Sequence, residues 1–124
     1  MTRSLKLMIV DDSNIMRRRI ERSQQFDEIE LVGTAGNGVE ALELFRKHDP
    51  DVVTMDLTMP QMDGIECISQ LVALKPSVRI LVISALADKA TAVEAMEKGA
   101  NGFLNKPFTD RQLNEAIADL IRES

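Results

Sequence analysis

Cysteine occurs once in this chain, at Cys67, so no intrachain disulfide can form and a reducing compartment suits it. Cys67 itself is expected to be a small buried hydrophobe on a helix. Basic residues are in deficit, 15 Lys and Arg against 20 Asp and Glu, which argues against a general nucleic-acid binder because phosphate neutralisation needs a basic surplus on some face. Histidine also occurs once. His48 lies in the polar turn Lys47-His48-Asp49-Pro50 with no second ligand type beside it, and is read as a cation near a helix C-terminus, not a metal ligand or catalyst. No hydrophobic run approaches the length of a membrane span, and the N-terminal Met1-Thr2-Arg3-Ser4 leads into an apolar stretch that Asp11 and Asp12 cut short, unlike a signal peptide. The expectation is a cytoplasmic protein with no membrane insertion.

What is present is an ordinary globular composition of 124 residues, which predicts one domain over 1–124 with no output domain. Met1 and the end of the last helix are read as those of a complete small protein. Short apolar runs alternate with amphipathic stretches. Leu5 to Val10 is expected as the first strand, and Asp12 or Ser13 as the cap of a helix whose inner face carries Ile15, Met16 and Ile20. The run Arg17-Arg18-Arg19 on that helix reads as a solvated or ion-pairing face, with partner binding as the alternative. Ile29 to Thr34 is the second strand, and the turn Gly36-Asn37-Gly38 leads to a helix with Val39, Leu42 and Phe45 at helical spacing. Proline at position 50 ends that helix.

The third strand belongs to the stretch from Asp51 to Gly64 and ends on Asp56, followed by a helix with Ile65, Ile68, Leu71 and Val72. Val78 to Ile83 is the fourth strand, closing on Ser84-Ala85. Ala92, Val93 and Met96 mark the next helix, stopped by Gly99. Asn101 to Asn105 is a fifth, shorter strand. After Lys106-Pro107-Phe108, Thr109 or Asp110 caps a last helix with Leu113, Ile117, Leu120 and Ile121 inward. Five such strand–helix alternations with short connections predict an α/β fold, a parallel sheet with helices on both faces.

The polar residues that follow the strands then share one edge of the sheet: Asp11 and Asp12, Asp56, Ser84 and Lys106. Taken alone, Asp56 is either a functional carboxylate or the cap of the next turn. Three acids brought together raise one another's pKa and call for positive charge, of which Lys106 supplies one unit. Oxygen ligands without His or Cys suit a hard ion completed by water, magnesium in preference to zinc or calcium. A metal beside an aspartate points to phosphoryl chemistry in which Asp56 is the nucleophile. Lys106, the Ser84 hydroxyl and loop N–H groups would then stabilise the transferred group.

The set Val10-Asp11-Asp12-Ser13, Met55-Asp56-Leu57-Thr58-Met59-Pro60, Met62-Asp63-Gly64, Ser84-Ala85, Gly99-Ala100 and Lys106-Pro107-Phe108 resembles the receiver domains of two-component response regulators over essentially the whole chain. The stand-alone chemotaxis (CheY-like) type is the nearest in pattern. The resemblance implies a flavodoxin-like (βα)5 three-layer sandwich with strand order 2-1-3-4-5. It implies phosphorylation at Asp56 from a histidine kinase, and Mg2+, with Mn2+ as a substitute, held by Asp11, Asp12, Asp56 and the backbone carbonyl of Thr58. Lys106 would contact the phosphoryl oxygens, and the Lys106-Pro107 bond would be cis. Such a protein is a switch that catalyses, at most, its own phosphorylation and slow dephosphorylation.

Phosphate at Asp56 would draw Ser84 toward it and let Phe103 rotate inward, altering the face made by the fourth helix, fifth strand and fifth helix. The implied partners are a sensor histidine kinase, a downstream protein such as flagellar motor or other motility machinery, and a phosphatase, with the protein itself a monomer. Two positions depart from the best-known chemotaxis pattern. Thr58 stands where asparagine is familiar, and Phe103 where a tyrosine is often found. Thr58 and Leu86 face the phosphoryl approach and bear on the rate of dephosphorylation. The competing functions are a phosphate sink, an isolated receiver of a larger regulator, and a flavodoxin-like cofactor binder. The last is disfavoured because two acids replace the Ser, Thr and Gly of a phosphate-cradling loop.

Overall fold

The computed structural model describes residues 4–58, 64–85 and 89–122. Ten elements alternate along it: β1 (Leu5–Val10), α1 (Asn14–Ser23), β2 (Ile29–Ala35), α2 (Gly38–His48), β3 (Val52–Met55), α3 (Gly64–Leu74), β4 (Arg79–Ser84), α4 (Lys89–Glu97), β5 (Gly102–Asn105) and α5 (Asp110–Arg122). The strands form one parallel sheet in the order β2-β1-β3-β4-β5. This is the flavodoxin-like arrangement implied by the resemblance.

The central strands β1, β3 and β4 are buried on both sides because each side is covered, whereas the edge strands β2 and β5 are partly exposed. Met8, Val10, Val53, Met55, Ile80 and Val82 pack under α2, α3 and α4, whereas Leu7, Ile9, Val52, Leu81 and Ile83 pack under α1 and α5. That two-sided burial explains why β1 and β4 read as continuous apolar runs without alternation. Cys67 is fully buried in α3, as expected of a small hydrophobe.

The helix ends follow their local chemistry. The Ser13 side chain accepts from the Met16 N–H and caps α1. Asn37 caps α2 through the Glu40 N–H. Thr109 and Gln112 make a reciprocal capping box at α5, with the Gln112 N–H donating to Thr109 Oγ1 and the Thr109 N–H to Gln112 Oε1. Gly99, with φ of +119°, ends α4 in a conformation that other residues rarely adopt.

One expected core position is overturned: Ile15 is 82% exposed. Val39, which falls at helical spacing, is 45% exposed. On α1 the inner stripe is Met16 and Ile20, one helical repeat apart, and Ile15 lies a hundred degrees away from Met16 on the solvent side. On α2 the same role falls to Ala41, Leu42 and Phe45. Val93 and Met96 mark α4 without entering the core, which Ala95 fills instead.

Candidate functional site

β1 and β3 are hydrogen-bonded neighbours, with Val10 opposite Met55, so the residues that follow them emerge side by side at the carboxyl edge. The Asp56 N–H donates to the Val10 carbonyl at 2.9 Å, which extends the pairing by one residue and sets Asp56 against Asp11. Carboxylate oxygens of Asp11, Asp12 and Asp56 all lie within 4.8 Å of one another. Asp11 and Asp56 are buried, at 1% and 2% exposure, and Asp12 is exposed. The three-acid cluster expected from the strand ends is therefore present.

Lys106 joins it from the end of β5. Its N–H donates to the Ser84 carbonyl, and its ammonium lies 2.8 Å from Asp11 Oδ2 and 3.8 Å from Asp56 Oδ1. The Lys106-Pro107 peptide bond is cis. Ser84 is fully buried at the end of β4 and pairs in register with Asn105. Strand alternation puts Ser84 on the same side as Val82, and Val82 is paired with Phe103, which packs half-buried against the core under α4. Ser84 and Phe103 thus share one face of the sheet.

Burial, chiefly, and then the neighbouring Asp11 carboxylate raise the Asp56 pKa. Lys106 and the Thr58 backbone N–H oppose the shift, while Asp12 adds to it. The Thr58 N–H and its hydroxyl both donate to Asp56 Oδ1, each at 3.3 Å. The sequence assigns Thr58 a carbonyl role and a side chain that faces the phosphoryl approach; the hydroxyl contact with Asp56 itself has as its only signal a hydroxyl two residues after the acid.

The reason for glycine at position 64 is steric. A Cβ there would lie 2.3 Å from the Asp56 carbonyl oxygen and 2.7 Å from Leu57 Cα, so α3 begins in backbone contact with the residue that carries the acid. The Gly64 N–H also donates to the Leu57 carbonyl. The expectations for Leu86, and the stretch Met59-Pro60-Gln61-Met62-Asp63, lie outside the described residues.

The donor set fits a divalent cation on its own chemistry. Among the described residues three carboxylates gather without His or Cys, the Lys106 ammonium contacts two of them, and exposed Asp12 leaves the cluster open to water. Among the described residues no helix is long and apolar enough to cross a membrane.

The response regulator receiver domain family model matches residues 7–118. The chain is 41% identical to the chemotaxis protein CheY of Listeria monocytogenes, covering 91% of this chain and 95% of that one. It is 43% identical to a protein-glutamate methylesterase/protein-glutamine glutaminase of Methanococcus maripaludis, covering 97% of this chain and 35% of that protein. Among solved structures, the CheX-CheY-BeF3-Mg complex from Borrelia burgdorferi contains a similar chain, with a TM-score of 0.89 at 29% identity over 94% of this chain and 89% of that one. This chain belongs to the response regulator receiver domains and is of the CheY-like kind.

Proposed function

We propose that the chain works as a single receiver domain that accepts a phosphoryl group on Asp56 from a histidine kinase or a small acyl phosphate. The observation that carries this reading is the buried Asp56 carboxylate set between Asp11, Asp12 and Lys106 at one sheet edge. A carboxylate oxygen of Asp56 attacks phosphorus and forms a new O–P bond. The donor's bond to phosphorus breaks, and its electron pair leaves with the acetate or imidazole group. Lys106, 3.8 Å from Asp56, is placed to neutralise the phosphoryl oxygens as charge spreads over them. Ser84 is assigned the hydroxyl that receives one of these oxygens.

Asp11, Asp12, Asp56 and the Thr58 carbonyl are the residues assigned to hold Mg2+, with Mn2+ as a substitute. The bound ion supplies positive charge that favours the ionised form of Asp56 and offsets the charge of the phosphoryl group. The Borrelia complex, which holds a similar chain together with Mg2+ and BeF3, supports that assignment.

Phosphorylation replaces one carboxylate charge by roughly −1.5 to −2. With Ser84 and Phe103 on one face, movement of the first makes room for inward rotation of the second and changes the α4, β5 and α5 surface. Phe103 carries no hydroxyl, so burial alone favours the inward state. The output is a protein partner in chemotaxis or motility, as the chemotaxis relatives suggest, with the flagellar motor or other motility machinery as its target and a phosphatase to reset the switch. The protein is assigned to the cytoplasm, as a monomer.

A second reading rests on the methylesterase similarity: a receiver of this sequence type also occurs within a longer regulator. A phosphate sink uses the same chemistry with no output partner. The site is tested by exposing wild type and Asp56→Asn to acetyl phosphate and Mg2+ and measuring intact mass. One phosphoryl adduct on wild type and none on the variant is expected; equal labelling of both, or of neither, refutes the assignment.

A further inference from the structure

The structure divides the run Arg17-Arg18-Arg19 between two flanks of α1. Residues two apart on a helix point about 200° away from each other, so Arg17 and Arg19 leave opposite flanks of α1. Arg17 turns back over the first helical turn. Its Nη1 donates to the Asp11 carbonyl at 2.5 Å, and its Nη2 donates to Asn14 Oδ1 at 2.9 Å. The same guanidinium lies against Gly36, where a Cβ would sit 3.3 Å from Nη1.

Arg19 reaches the other way, to the segment after Lys106. Its Nη2 donates to the Phe108 carbonyl, its guanidinium stacks 4.4 Å from the Phe108 ring centroid, and Asp110 Oδ1 is 3.8 Å away. Phe108 is itself buried in the core under α1 and α5. Arg18, between them, is exposed.

We infer that Arg17 and Arg19 are positioning residues for the acidic site. Arg17 fixes the backbone that carries Asp11 and Asp12, and Arg19 fixes the loop that carries Lys106. A planar guanidinium suits both tasks, because Arg17 grips two acceptors in one fork and Arg19 combines a carbonyl bond with ring stacking. The two braces act on the two partners of a single 2.8 Å contact, Lys106 to Asp11. The inference rests on the phosphoacceptor reading, and it gives each arginine a different consequence. Loss of Arg17 loosens acids assigned to the cation, whereas loss of Arg19 loosens only the ammonium assigned to the phosphoryl group.

The test compares Arg17→Gln, Arg19→Gln and Arg18→Gln with wild type. All three variants remove the same charge from the same helix. Mg2+ affinity is measured by titration calorimetry without any phosphodonor, and the maximal rate of phosphorylation by acetyl phosphate is measured at saturating Mg2+. Arg17→Gln is expected to weaken Mg2+ binding about tenfold, the usual scale for losing a group that orients a metal ligand. Arg19→Gln is expected to lower the maximal rate about tenfold, with Mg2+ affinity within about twofold of wild type. Arg18→Gln should change neither by more than about twofold, as a surface substitution.

Either Arg17→Gln or Arg19→Gln behaving like Arg18→Gln in its assigned readout overturns the inference. If a glutamine variant fails to fold, the lysine variant at that position replaces it, with the same direction expected and the same result decisive. Wild type that takes no phosphoryl group refutes the phosphoacceptor reading. Labelled wild type with indifferent arginine variants refutes only the braces.

Discussion

The Lys106 ammonium is paired with Asp11, 2.8 Å from its Oδ2, and reaches Asp56 only at 3.8 Å. The lysine therefore holds a buried acid of the cluster while standing one short movement from the acceptor. Replacing it leaves the Asp11 carboxylate, 1% exposed, without its ammonium. Breaking a fully buried pair costs about 3–5 kcal/mol, but the Lys106 side chain is 18% exposed, so about 2 kcal/mol is expected for Lys106→Met without divalent cation. Denaturant unfolding checks this, and Mg2+ should restore part of the loss by placing new positive charge beside the acids.

Asp56 carries a predicted dependence of stability on pH. Its folded pKa is raised above the ordinary 3.8 by burial first and by Asp11 next, so the folded state favours the protonated form. The resulting contribution is fully present below the unfolded carboxylate pKa and is lost as pH rises through the folded one. Asp56→Asn removes that penalty. Without divalent cation the variant should melt together with wild type near pH 3 and at higher temperature near pH 7.5, by several degrees if the gain is about 1 kcal/mol. A thermal scan across pH reads the gap directly; a gap that closes as pH rises contradicts the sign.

Gly64→Ala places a methyl carbon against the Asp56 carbonyl and the Leu57 backbone, neither of which can swing aside as a side chain would. A cost of about 3 kcal/mol or more is expected, seen as a fall in Tm on the order of 10 °C. Phosphorylation should fall with it, because the acceptor's own backbone is what moves.

The Thr54 hydroxyl is buried at 1% exposure and has no hydrogen-bond partner among the described residues. Thr54→Val keeps the shape and removes the unsatisfied group. The variant should be about 1 kcal/mol more stable by denaturant unfolding.

Much of this site is legible in the sequence, because parallel sheets bring the ends of their strands to one edge. Asp11, Asp56, Ser84 and Lys106 could each be read as polar punctuation after an apolar run. The order of the strands could not be read from periodicity and followed only from resemblance to a family. Helix faces were legible where the stripe was long, as in α5 with Leu113, Ile117 and Leu120. They fail near the start of α1, where Ile15 meets the apolar count but projects past the core. The partners of Arg19 lay beyond local reasoning, since Phe108 is 89 residues away and nothing near Arg19 in sequence announces it. The tight contact of Gly64 with Asp56 was hidden for the same reason: a glycine shows where a side chain is missing but not what fills the space.

The central claim, that Asp56 is the group that takes the phosphoryl, is tested most directly by trapping. Wild type is incubated with acetyl phosphate and Mg2+ and reduced with borohydride, which converts an aspartyl phosphate to homoserine, and the modified residue is located by peptide fragmentation. Homoserine at position 56, absent when Mg2+ is withheld, is the predicted result. Homoserine at Asp11 or Asp12, or none anywhere in wild type, would contradict the account.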